Sequence, residues 1–173
     1  MLRGSLLAAL FLVPVSAFAQ TSYAGMQTRP IKAISEQQMA ELRAGRGMGL
    51  AVAAELNGYP GPSHVLELAD KLELSTDQHT DVQRLFDQMK AEAIPLGSKL
   101  IEQETELDQQ FAGHTVTPES LRASTAAVAV TEGALRETHL KYHLSTVAIL
   151  TPDQMLHYAE LRGYGGHPMH HRN

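Results

Sequence analysis

Two histidines on one predicted helix are the residues best suited to chemistry in this sequence. His139 and His143 are four residues apart in the segment HLKYH. In an α-helix that spacing puts both imidazoles on one face, about one turn apart, where they can share a metal ion. The alternative is that His139 packs in a helix interface beside Leu135 and Tyr142, and that His143 is half exposed without a ligand. The pair alone leaves both interpretations open.

A third imidazole joins this pair if the flanking helices fold back on one another. With a bend near residue 115, His139 lies opposite about residue 91 and His143 opposite about residue 87. A short helix that precedes the long one and packs antiparallel to it places His64 near the level of about residue 86. The carboxylates that we expect within reach of the three imidazoles are Glu67, Asp87 and Glu92.

Three imidazoles and one oxygen form a donor set that suits Zn²⁺, Cu²⁺, Ni²⁺ or Co²⁺. The sequence therefore predicts a transition-metal site with the ligands His64, Glu67, His139 and His143. A weaker second candidate is the C-terminal tail, whose donors are His167, Met169, His170 and His171. A short histidine-rich tract of this kind binds metal loosely, and the alternative is a solvated tail without a ligand. No organic cofactor is indicated.

Composition and motifs argue against several classes of function. The chain has no cysteine, which excludes disulfides and thiol chemistry. Its net charge of −5 argues against a nucleic-acid partner. There is no nucleophile-elbow motif and no phosphate-binding glycine-rich loop. The glycines between residues 45 and 49 fall inside a helical pattern, where we expect them to permit close packing. We therefore expect a protein that is not an enzyme.

The first 19 residues have the pattern of a cleavable secretory signal peptide. Arg3 supplies the positive charge, Leu6 to Val15 form a short apolar run, and Ala17-Phe18-Ala19 fits the cleavage rule. The run is too short for a membrane span and is interrupted by Pro14. We expect an exported, periplasmic protein that does not span the membrane.

The rest of the chain predicts one all-α domain. Residues 20–34 are expected to be a flexible lead-in, residues 35–163 a single helical hairpin domain, and residues 164–173 a mobile tail containing His and Met. The apolar spacing predicts a broken helix, a short helix, a long helix, a returning helix and a last helix. The broken helix covers about residues 36–56, the short helix 64–73, the returning helix 118–149 and the last helix 152–162. We expect the long helix between residues 73 and 118 to be kinked at Pro95.

The returning helix carries apolar residues on two faces. Leu121, Val128, Leu135, Tyr142 and Ile149 recur every seven residues, as expected for a seam against the long helix. A second strip consists of Leu140, Leu144 and Val147. A pair of helices cannot bury both faces, so the second strip is expected to meet the short N-terminal helices or another subunit.

A short phrase that occurs twice marks the helix starts. LSTDQ at residues 74–78 is echoed by LTPDQ at residues 150–154. In each, a Ser or Thr hydroxyl can accept a bond from the amide three residues on, and the glutamine can reach back, which is the capping box. Ser35 and Gln38 form a third such pair, and Ser63 is expected to cap the short helix.

An exported, cysteine-free helical chain with two LTxxQ-like phrases resembles the Spy/CpxP family of periplasmic proteins, which includes ZraP and the CnrX-type heavy-metal sensors. The resemblance covers roughly residues 60–162, and the second phrase matches the family motif while the first has Ser75 in place of Thr. It implies a long bent antiparallel helical hairpin with short flanking helices that forms a homodimer.

The resemblance also implies roles in envelope stress. These are ATP-independent holding of unfolded client proteins, accessory control of a membrane-bound sensor or anti-sigma partner, and metal sensing. CnrX-type sensors bind metal through histidines of the first and third hairpin helices. Their first-helix pair is His-x-x-x-His, and here Pro60 stands four residues before His64.

Overall fold

The computed structural model describes residues 23–164. The predicted signal peptide and the tail donors His167, Met169, His170 and His171 lie outside the described residues. Within them the structure is helical and contains no strand, which confirms the all-α prediction. A short 3-10 helix at Met26–Thr28 is followed by six α-helices: α1 (Glu36–Arg43), α2 (Val52–Glu55), α3 (Pro62–Glu67), α4 (Thr76–Ala112), α5 (Pro118–Val147) and α6 (Pro152–Leu161). Among residues 23–164, no helix combines the length and the apolar character needed to cross a membrane.

The two long helices, α4 and α5, pack against each other in opposite directions. Near the connection Gln110 donates a hydrogen bond to Ser124 at 3.0 Å. Further down, the Tyr142 hydroxyl donates to Glu92 at 2.8 Å. This register places Glu92 beside Tyr142, whereas we expected residue 91 beside residue 139. The observed pairing differs from the expected one by about one helical turn. The expectation took residue 115 as the centre of the bend, whereas the register depends on where α4 ends and α5 begins. α4 continues through Pro95 as one helix.

The broken first helix is two helices separated by a loop at residues 44–51. Gly45 and Gly49 have positive φ angles of 65° and 85°, which a helix cannot contain. The end of α1 lies against α4, where the backbone carbonyl of Leu42 is so close to Gly97 that an added Cβ would collide with it. The glycines therefore allow both a sharp break and close packing.

The short helix α3 begins and ends earlier than predicted. Gly61 is its N-cap residue and Pro62 occupies the first helical position. The prediction that Ser63 caps this helix is wrong, since Ser63 lies inside it and its hydroxyl is 3.4 Å from Glu67. Turns continue from Leu68 to Glu73 in place of the rest of the predicted helix.

The segment before α1 contributes to the core. Ile31 and Ile34 are buried with Met39, Leu42 and residues of α4 and α5. The backbone amide and the ammonium of Lys32 both contact Asp108, at 3.1 Å each. The sequence offers no periodic pattern here, so we expected a flexible lead-in over residues 20–34.

The buried face of α5 is more polar than predicted. Leu135 and Tyr142 of the seven-residue series are buried, but Leu121 is 38% exposed. In the second strip Leu144 is 60% exposed. The face that is buried carries instead the polar residues Thr131, Thr138, His139, His143 and Thr146. Buried polar groups require partners, so this face must meet hydrogen-bonding groups as well as apolar side chains.

The two copies of the repeated phrase contact each other. Each is a complete capping box, as predicted. In addition, the Gln78 amide nitrogen donates to the Gln154 carbonyl oxygen at 2.8 Å, and the Gln154 amide nitrogen donates to Gln78 at 3.0 Å. Gln78 also donates to the backbone oxygen of Ile149, and Gln154 to that of Leu72. We call this pair the glutamine clasp, because it ties the start of α4 to the start of α6.

We predict that the clasp contributes more stability than a capping box alone. Gln78→Ala and Gln154→Ala should each lower the free energy of unfolding by about 2 kcal/mol, because cap and clasp bonds are lost together. Gln38→Ala is the matched control, since Gln38 completes the capping box of α1 without a cross-helix partner. It should cost about 1 kcal/mol or less. Urea unfolding of the three variants measures the difference, and equal costs would contradict the clasp.

Candidate functional site

The four predicted ligands line one cavity. It has a volume of about 790 Å³ and lies between α2, α3, α4, α5, the end of α6 and the loop at residues 44–51. Its lining includes His64, Glu67, His139 and His143. The structure thus brings together residues that are up to 79 positions apart in the sequence. The apolar part of the wall is formed by Met48, Val52, Leu56, Phe86 and Met89.

His139 has an unpartnered nitrogen inside the protein. The residue is 3% exposed, and its Nε2 is buried without a hydrogen-bond partner. Its Nδ1 side faces Gly47, where an added Cβ would be 3.3 Å away. Burial, followed by the charge on His143, lowers the pKa of His139 below its usual range. His139 is therefore a neutral imidazole at neutral pH, the form that binds metals.

His143 is fixed in one tautomer by a backbone group. Its Nδ1 donates to the carbonyl oxygen of Tyr59 at 2.6 Å, and a carbonyl can only accept. In the neutral ring the lone pair is therefore on Nε2. This arrangement, in which one nitrogen is held by a backbone carbonyl, is typical of metal-binding histidines. The ring packs against Gly61, where an added Cβ would be 2.7 Å from Nε2.

A buried carboxylate that the sequence did not single out lies at the centre of the site. Glu55, the last residue of α2, is 8% exposed. Its Oε1 is 3.3 Å from Nδ1 of His64, at ion-pair distance but without the alignment of a hydrogen bond. Its Oε2 is 3.8 Å from Nδ1 of His143 and accepts from the Gly61 amide at 3.3 Å. α2 is one turn long, so no periodic signal distinguished Glu55 from an exposed helix residue.

The end of α6 contacts the same carboxylate from another side. The Tyr158 hydroxyl donates to Oε1 of Glu55, as does that of Tyr164 at 3.3 Å. Nε of Arg162 lies 3.6 Å from the same oxygen. Burial by itself raises the pKa of Glu55, but the contacts with His64 and Tyr158 outweigh it and hold that pKa below its usual range. Glu55 is therefore ionised at neutral pH.

The other two candidate carboxylates are engaged elsewhere. Glu92 accepts hydrogen bonds from Lys141 and Tyr142. Burial and the bond to Glu92 raise the pKa of Tyr142 to about 12, so it remains a donor. Asp87 accepts from Gln83 at 3.0 Å within α4. Neither is among the residues that line the cavity, whereas Glu67 is exposed at its edge.

The residues at this cavity have donor atoms of the kind that bind transition metals, but their side chains are not arranged around a single ion. Within residues 23–164, no three His, Asp or Glu side chains are arranged to hold one ion. His139, whose Nε2 is buried without a partner, and His143, whose neutral ring keeps its lone pair on Nε2, nevertheless line one cavity. His64, whose side chain is 38% exposed, and the exposed Glu67 line the same cavity.

Comparisons with known proteins add no assignment. No protein-family model, no curated protein and no solved structure matches this chain. The resemblance to the Spy/CpxP family therefore remains a prediction.

We predict that His139 makes the protein less stable as the pH falls. The pKa of His139 in the folded protein lies below the usual histidine value of 6.5, so between those two pH values the unfolded chain binds a proton that the folded one does not. The contribution of His139 to the free energy of unfolding is complete above about pH 6.5 and is lost as the pH falls below that value. It amounts to about 1.4 kcal/mol for each pH unit by which the pKa of His139 lies below 6.5.

The test compares urea unfolding at pH 7.5 and pH 5.5. His139→Gln should show a smaller loss of stability on acidification than the wild-type protein. His157→Gln is the control, because His157 is exposed on α6 and should leave the loss unchanged. An unaltered loss in His139→Gln would contradict the prediction.

Proposed function

We propose that this chain is an exported, periplasmic envelope-stress protein that binds one transition metal ion in the cavity between α2, α3 and α5. The observation that supports it most is the convergence of His64, His139 and His143 on that cavity, with the Nε2 of His139 buried and unpartnered. A buried polar atom without a partner is costly, and a bound metal ion would satisfy it. Zn²⁺, Cu²⁺, Ni²⁺ and Co²⁺ are the ions that suit imidazole donors.

In this proposal the protein is not an enzyme and acts through binding. α4 and α5 form a bent hairpin of the Spy/CpxP type, and two chains associate into a homodimer. Metal occupancy modulates a membrane-bound partner, either a sensor kinase or an anti-sigma system. The antiparallel contacts of α4 and α5, the signal-peptide pattern and the repeated phrase support this proposal.

Metal titration tests the proposed site. We expect the protein to bind at least one of the four ions, and we expect His139→Ala and His64→Ala to weaken that binding by about tenfold or more, because each removes one of a few ligands. All variants should carry Ala at His167, Met169, His170 and His171, so that the tail does not contribute. Isothermal titration calorimetry gives the dissociation constants.

His157→Ala in the same background is the matched control. It removes an exposed imidazole outside the cavity and should leave the affinity unchanged. If His139→Ala bound metal with the same dissociation constant as the protein with an unaltered cavity, the proposed site would be ruled out.

A second candidate function is the holding of unfolded client proteins. Met48, Val52 and Leu56 line the cavity mouth and are 39%, 48% and 59% exposed. Three exposed apolar side chains around one concave surface are typical of a binding site for apolar segments.

Client holding is tested by light scattering of a chemically denatured protein. The wild-type chain at a several-fold excess should suppress aggregation, and Val52→Ser/Leu56→Ser should suppress it less, because apolar contact area is lost. Leu144→Ser is the control, since Leu144 is 60% exposed on α5 outside this cavity. No suppression by the wild-type chain would exclude this function.

A further inference from the structure

The candidate metal cavity and the end of α6 share one carboxylate. Nitrogens of His64 and His143 lie 3.3 Å and 3.8 Å from the two oxygens of Glu55. The Tyr164 hydroxyl and Nε of Arg162, which line the same cavity, lie 3.3 Å and 3.6 Å from Oε1. Glu55 carries a single negative charge. A cation in the cavity and the Arg162 guanidinium would therefore be attracted to the same charge and would repel each other.

Arg162 and Tyr164 are the weaker of the contacts from the end of α6. Both follow Leu161, the last helical residue. The Arg162 side chain is 29% exposed, and its Nε makes no hydrogen bond. Its guanidinium lies over the Tyr164 ring, 5.8 Å from the ring centre. The two side chains therefore form a unit that can separate from Glu55 without disturbing a helix.

The remainder of α6 is held more firmly. Tyr158 is 2% exposed and packs in a core cluster with Val65 and Val82, whereas Tyr164 is only partly buried against that cluster. At the other end of the helix, Gln154 is held in the glutamine clasp. Loss of the Arg162 and Tyr164 contacts would therefore free only the residues after Leu161.

We propose that residues 162–164 form a latch on Glu55, and that a divalent transition metal ion in the cavity opens this latch. The inference rests on the proposed metal-binding function and adds the response to it. With the cavity occupied, the Glu55 carboxylate is shared with a second cation. Arg162 is then the partner that is displaced, because its charge is permanent and it cannot ligate a metal, whereas the imidazoles of His64 and His143 can. The output of metal binding is then the release of residues 162–164 from Glu55.

The latch can be tested by measuring the metal affinity of a variant without the Arg162 charge. If metal binding and the contact between Arg162 and Glu55 oppose each other, then removal of the Arg162 charge must tighten metal binding. Arg162→Met keeps most of the side-chain volume and should lower the dissociation constant for Zn²⁺ or Ni²⁺ on the order of tenfold. Circular dichroism should show an unchanged helical fold, since Arg162 lies outside the helices.

Lys90→Met is the matched control. Lys90 lines the same cavity and carries the same charge, but it lies over the Phe86 ring and makes no ion pair with Glu55. A gain in affinity for Arg162→Met well above that for Lys90→Met supports the latch. An equal gain in both variants would show a general charge effect and would overturn it.

A second readout follows the latch directly in the wild-type chain. The amides of Arg162, Gly163 and Tyr164 donate to backbone oxygens of α6, at 3.0, 3.0 and 2.8 Å. Their hydrogen exchange, followed residue by residue by NMR, should become faster when Zn²⁺ or Ni²⁺ is added. Metal binding without faster exchange, or without a gain in Arg162→Met, overturns the latch and leaves the metal site intact. No binding by either protein contradicts the metal site and the latch together.

Discussion

The buried carboxylate of Glu55 is the interaction on which the organisation of the candidate site depends. Its oxygens contact side chains or backbone of α3, α5 and the end of α6, so one charge connects most of the elements around the cavity. A carboxylate in a protein interior is tolerated only when it is paired and hydrogen-bonded. That requirement holds His64, His143 and Tyr158 close together, and it is the reason that the cavity has a polar wall.

The glutamine clasp is the second constraint on the same helices. Gln78 and Gln154 each cap their own helix and bond to the other, so the starts of α4 and α6 keep a fixed separation. α6 is thus attached at its start through amides and at its end through Glu55. The first attachment is neutral and independent of any ion, whereas the second involves charge. This difference is the reason that the proposed latch is at the end of α6 and not at its start.

Much of the fold could be predicted from the sequence, because the signals are local. The capping boxes at Ser35, Ser75 and Thr151 each involve residues three positions apart, and all three form. The cavity was predicted in part, since the helical pattern placed His64 near His139 and His143, although the register was off by about one turn. The polar face of α5 was not predicted, because apolar periodicity identifies a buried face only when that face is apolar.

The sequence by itself determined where α1, α4, α5 and α6 begin, and it determined that His139 and His143 share one helix face. Only the tertiary structure decided that Glu55 is buried and that the repeated phrases contact each other. The physical reason is distance along the chain. A capping box forms within one helical turn. In contrast, Tyr158 and Glu55 are hydrogen-bonded although they are 103 residues apart in the sequence, and Gln78 and Gln154 although they are 76 apart. Such contacts are set by the packing of whole helices, for which no local pattern of residues is a signal.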